Sequence, residues 1–82
     1  MKVRPLRADL NDYLKRRLLV KRFNKQIKIF EDNPRHPSLH TEVLEPKKLR
    51  VYSFRLTKKF RAIFVFLDDG EVEVVDINDH YQ

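Results

Sequence analysis

Six residues in this sequence carry side chains suited to chemistry on a phosphate: Arg55, Lys58, Lys59 and Arg61 in one stretch, then the pair His80-Tyr81. Cleaving RNA without a metal needs a base to draw the proton from a 2′-hydroxyl. It also needs a cation to stabilise the charge developing on phosphorus and an acid to protonate the leaving 5′-oxygen. Histidine titrates near neutrality and serves as acid or base, while arginine is permanently charged and matches phosphate with its planar fork. An aromatic such as Tyr81 can hold a splayed base by stacking, a contact worth roughly 1 to 3 kcal/mol. Residue type alone leaves a second reading open. Arg61 is equally an exposed strand cation in a surface ion pair, and His80 and Tyr81 are equally terminal residues with no task.

Other chemistries find little support. His36 and His40 are four apart, but Pro37 between them opposes the helix that would align them on a metal, and His80 is remote in sequence. No metal and no cofactor is therefore expected. Gly70 is the only glycine, which excludes a Gly-rich phosphate loop, and neither Ser38 nor Ser53 sits in a recognisable nucleophile elbow. The absence of cysteine removes disulfides and thiolate chemistry together.

Charge is unevenly spread along the chain. Residues 1–30 hold ten Lys or Arg against two acids, residues 31–67 hold eight against four, and residues 68–82 hold six acids and no base. The basic body suits a polyanion, because each phosphate neutralised releases condensed counterions. The alternative is a solvated surface whose acidic last segment offsets its own basic neighbours. No apolar run approaches the roughly 18 to 20 residues of a membrane helix, and Met1-Lys2-Val3-Arg4-Pro5 lacks a signal peptide's apolar stretch. A cytoplasmic protein with no membrane partner is the expectation.

The elements that must position these residues are legible in outline. Asp9 to Asp32 contains no Gly or Pro and is rich in helix formers. Apolar residues at Leu10, Leu14, Leu18, Val20, Phe23, Ile27 and Phe30 follow spacings of three and four with a phase shift near Leu18. That shift predicts two helices, or one kinked helix, meeting around Lys15 to Leu19, and Asn33-Pro34 ends the segment. Thr41 to Leu44 reads as a short edge strand. Val51–Thr57, Arg61–Leu67 and Val72–Ile77 are rich in β-branched and aromatic residues and read as strands, with a turn at Asp68-Asp69-Gly70. Lys2-Val3-Arg4 is an edge strand or a loose arm, limited by Pro5.

The expected fold class is therefore α+β, an N-terminal helical hairpin or kinked helix packed on a small antiparallel β-sheet, with residues 1–82 forming one domain. Tyr52, Phe54 and Leu56 should face Phe23, Ile27 and Phe30. A three-residue loop would place Thr57 opposite Arg61 and put Arg55 and Arg61 on one face. Neither Lys58 nor Lys59 suits the tight turns of a two-residue loop, which favours the longer one.

The stretch Tyr52-Ser53-Phe54-Arg55-Leu56-Thr57-Lys58-Lys59-Phe60-Arg61-Ala62-Ile63-Phe64, followed by Asp76-Ile77-Asn78-Asp79-His80-Tyr81, resembles the RelE/ParE toxin superfamily. Asn33-Pro34-Arg35-His36-Pro37-Ser38-Leu39 is similar to that family's crossing from helices to sheet. The resemblance implies a RelE-like fold and the toxin of a type II toxin-antitoxin system, blocked by a cognate antitoxin. In the interferase branch it implies metal-independent endoribonuclease action on mRNA in the ribosome; in the ParE branch, inhibition of DNA gyrase; an inactive relative is the third option. Under the interferase reading Arg61 stabilises the phosphate, His80 is the general acid and Tyr81 positions the nucleotide. Arg55, Lys58 and Lys59 would then bind RNA. The resemblance does not locate the YoeB-like branch's glutamate; Glu42 and Glu45 are candidates by type, and Lys58, Lys59 and Arg55 are the alternative substitutes, since RelE-like members rely more on lysines and arginines.

Overall fold

The computed structural model describes residues 1–79. Two helices form where the sequence pattern predicts them, α1 (Ala8–Arg16) and α2 (Val20–Asp32). The chain turns between them through Leu18, whose φ of 57° lies in the left-handed region. There the Leu18 N–H donates to the Lys15 carbonyl at 3.2 Å and the Leu19 N–H donates to the Leu14 carbonyl at 2.9 Å. This is how a helix commonly closes, though glycine more often occupies the left-handed position. The closure rotates Leu18 out to 90 % exposure and brings Leu19 into the core. The predicted stripe therefore fails at Leu18 and Val20, both exposed. Helical periodicity does not continue through a left-handed residue.

Four antiparallel strands follow in the order β1 (Glu42–Val43), β2 (Val51–Arg55), β3 (Arg61–Phe66) and β4 (Val72–Asn78). The helices cover one face of this sheet. Phe30 of α2 stacks on Phe54 with ring centroids 5.4 Å apart and meets Phe64 edge-on at 5.0 Å. Phe23, Leu56, Ala62, Val74 and Ile77 belong to the same buried cluster, with Tyr52 and Ile27 partly buried against it. The expected facing of helix and strand aromatics holds. Each such Phe contributes roughly 1.5 to 3 kcal/mol by leaving water.

The turn between β2 and β3 is longer than expected. Arg55, not Thr57, stands opposite Arg61, which leaves a five-residue loop from Leu56 to Phe60. The cause is local: Thr57 Oγ1 accepts the N–H groups of Lys59 and Phe60 at 3.1 and 3.0 Å. The Leu56 and Thr57 N–H groups both donate to the Phe60 carbonyl. A hydroxyl that captures nearby backbone donors offers the chain an alternative to the ladder. Because the register differs from the expectation by two residues, the faces are unchanged and both arginines point the same way. A bulge between Ile63 and Phe64 pairs them with Asp76 and Val74, leaving Val75 unmatched.

The first residues are tied down. Val3 bridges Val72 in parallel, and Arg4 donates to Asp69 at 2.8 Å and to Glu71 at 3.0 Å. The Glu71 backbone N–H and then the Arg4 guanidinium hold the Asp69 carboxyl below the usual carboxylate range. Part of the acidic segment thus offsets basic neighbours, as one reading of the charge pattern had it. No helix among the described residues is long and apolar enough to cross a membrane.

Candidate active site

Alternation along β2 and β3 gives the sheet a second face, turned away from the aromatic cluster. The ladder aligns Arg55, Arg61 and Asn78 in one row and Glu42, Ser53, Ile63 and Asp76 in the next. The polar residues of this face are therefore fixed by the same hydrogen bonds that hold Phe54, Ala62 and Phe64 inward.

Arg61 is not the exposed strand cation that residue type allowed: it is 3 % exposed. Its Nε donates to Ser53 Oγ at 2.8 Å, and its Nη2 donates to the Ser53 carbonyl at 3.3 Å and to the His40 carbonyl. His40 presents that carbonyl from a left-handed conformation, φ 43°, at the end of the helical turn Pro37–Leu39. Histidine is among the residues enriched in this region. A buried guanidinium is tolerable only when it is hydrogen-bonded and charge-compensated. The compensating charge here is Glu42, whose Oε2 lies 3.7 Å from Arg61 Nη2 while its side chain stays 45 % exposed.

The two glutamates that type alone could not separate are separated by position. Glu42 sits on β1 opposite Ser53 and reaches Arg61. Glu45 is exposed beyond that strand. Sequence reasoning left Glu42 unassigned because the contact crosses three strands. The available signal was its place in an exposed edge strand followed by the Pro46 breaker.

Arg55 is half-buried beside Arg61, and Lys58 and Lys59 are exposed in the loop that joins their strands. Lys59 Nζ lies 3.8 Å from Asp79 Oδ2. Behind this loop, Tyr13 meets Phe60 edge-on at 6.3 Å and carries Arg17 over its ring at 3.7 Å. Burial pushes the Tyr13 phenol up. The structure thus gathers Arg55, Arg61, Lys58 and Lys59 at one end of the sheet. His80 and Tyr81, the expected acid and positioning residue, lie outside the described residues. His36 and His40 do not join a metal-ligand group, and among the described residues no set of three His, Cys, Asp or Glu forms one.

No known protein family and no curated protein is matched by this sequence. Solved structures are. The chain is similar to a YoeB/ParE toxin from Agrobacterium tumefaciens with a TM-score of 0.73 at 21 % identity, over 99 % of this chain and 100 % of that one. It is similar to the heterotetrameric YoeB-YefM toxin-antitoxin complex from Staphylococcus aureus with a TM-score of 0.68 at 20 % identity, over 98 % and 94 %. A YoeB dimer from the same organism matches with a TM-score of 0.66 at 21 % identity, over 98 % and 94 %. Two helices on a four-stranded antiparallel sheet is the YoeB/RelE-like toxin fold.

Proposed function

We propose that this chain, which has the fold of YoeB and ParE toxins, is the toxin of a type II toxin-antitoxin pair and cleaves mRNA on the ribosome. The observation that supports the chemistry best is the half-exposed Glu42 carboxylate standing 3.7 Å from the buried, hydrogen-bonded Arg61 on the sheet's second face. Glu42 is exposed enough to take the proton of a 2′-hydroxyl, and the freed oxygen attacks the adjacent phosphorus. Arg61 acts as a fixed charge beneath the face. Its fork is held by Ser53 and His40, so the positive charge needs no reorganisation when the phosphorane forms. His80, two residues along the chain from Asn78, protonates the leaving 5′-oxygen, and Tyr81 stacks on the displaced base. The products are a 2′,3′-cyclic phosphate and a 5′-hydroxyl. Arg55, Lys58 and Lys59 hold the flanking phosphates. Every proton and charge has a side chain assigned to it, so no step calls for a metal.

The heterotetrameric YoeB-YefM neighbour supports an antitoxin as a partner, and a basic surface favours an acidic one. The experiment is a translating extract supplied with purified protein. Truncated mRNA with cleavage inside codons is the expected result. Inhibition of DNA supercoiling with mRNA left intact would replace this reading with a ParE-like one.

A further inference from the structure

One surface feature lies beyond the Glu42–Arg61 pair. Between α2 and the β2–β3 loop runs an open groove of about 540 Å³, lined by Arg22 and Lys25 of α2, by Arg55, Lys58 and Lys59, and floored by Gln26. Arg22 and Lys25 are one helical turn apart and both exposed, so they project from the same side of α2 toward the loop. Gln26 is 6 % exposed, and its Nε2 donates to the Arg55 carbonyl at 2.7 Å and to the Ser38 carbonyl at 3.3 Å. Two carbonyl partners fix which end of the amide is nitrogen. The amide's Oε1 is then the atom left to accept a hydrogen bond on a residue that lines the groove. Five cations, the Gln26 acceptor and the neighbouring Ser38 and Thr57 suit a polyanion that carries hydrogen-bond donors along its length. A carboxylate-rich peptide also offers charge and N–H donors; a ribose-phosphate strand is favoured because the groove continues, through Arg55, from the face that the functional reading gives to the scissile phosphate. Arg55, directly opposite Arg61 in the ladder, joins the groove to the sheet's second face.

We propose that this groove is a second RNA subsite, holding single-stranded RNA that runs on from the scissile phosphate, with Arg22, Lys25 and Lys58 on its phosphates and Gln26 Oε1 accepting from a 2′-hydroxyl. The inference rests on the reading that the second face handles RNA. It is tested by binding, without cleavage, so the two ideas can fail separately. A fluorescent single-stranded RNA oligonucleotide is titrated against the Glu42→Gln protein, alone and with Arg22→Gln/Lys25→Gln added, across a range of salt. The double substitution should weaken binding on the order of tenfold. It should also flatten the dependence of log affinity on log salt by about 1.4, roughly 0.7 for each phosphate no longer neutralised. Lys47→Gln/Lys48→Gln removes the same charge outside the groove and should change the slope less. A 2′-deoxy oligonucleotide of the same sequence should bind the parent protein several-fold more weakly. Equal slopes for the two double variants, or an equal drop in affinity for poly-glutamate and for RNA, would overturn the subsite even if mRNA cleavage is intact. No RNA binding by the parent protein would overturn the subsite as well, while the translating extract decides the functional reading separately.

Discussion

The two faces of one sheet obey different rules. On the helix-covered face Phe54, Ala62 and Phe64 are held by area and shape, and Phe30 contacts both aromatic rings. On the other face, one residue away along each strand, Ser53 and Arg61 are held by directed hydrogen bonds and by the charge of Glu42. Apolar burial is non-directional and tolerates approximate partners. A buried guanidinium tolerates few, since each of its donors and its charge must be met. The stability of this small chain therefore resides mainly on one face, and its buried charge pair on the other. The two are locked in register by the same ladder.

The comparison breaks most visibly at Phe64. Phe64→Ala should cost about 3 to 5 kcal/mol, a large part of what so small a protein possesses, and activity should vanish because the chain unfolds. Thermal denaturation followed by circular dichroism checks it; an unchanged melting temperature would move the core elsewhere. Arg61→Ala should come next. It leaves the Ser53 and His40 carbonyls without their donor, a cost of about 1 to 3 kcal/mol, so this residue of the second face should also show in the melting curve. Lysine should restore little, because a point charge cannot span Ser53 and His40 as the fork does. A variant as stable as the parent would mean that Arg61 is not the keystone of this face.

The smallest effect lies at the sheet's edge. Because the folded Asp69 carboxyl titrates below its ordinary range, its contribution is present above the ordinary aspartate pKa and is lost as pH falls through the folded value. Asp69→Asn should therefore lose less stability than the parent as pH falls below the ordinary aspartate pKa of about 4. Parallel melting profiles below that pH would leave the Glu71 N–H and Arg4 contacts of Asp69 without thermodynamic weight.

How far each face could be read in the sequence follows from the same difference. Core residues such as Phe23, Phe30, Phe54 and Leu56 recur at helical or strand spacing, so local pattern reveals them. The left-handed closure at Leu18 escaped because no glycine marks it. The five-residue loop escaped because Thr57 takes backbone donors that pattern alone assigns to the ladder. The site was half legible. Arg55 and Arg61 fall on one face by counting, and Lys58 and Lys59 follow from the loop. The pairing of Glu42 with Arg61 joins residues 19 apart across an edge strand of two residues, and that strand has too little pattern to fix its register. Gln26 occupies a core position on α2 with a polar side chain, a departure from the stripe whose reason emerges only with the Arg55 and Ser38 carbonyls in place.

Single-turnover cleavage of mRNA on programmed ribosomes tests most directly whether Glu42 and Arg61 act together on RNA. Glu42→Gln is nearly isosteric but removes the charge that compensates the buried Arg61, so its melting temperature should fall, and its cleavage is compared with the parent's at a temperature where circular dichroism shows both folded. Its cleavage rate should fall by on the order of a hundredfold or more, as loss of a general base requires. His80→Gln, measured beside it, should slow the same step by removing the proton donor. A folded Glu42→Gln protein that cleaves at the parent rate would contradict the account.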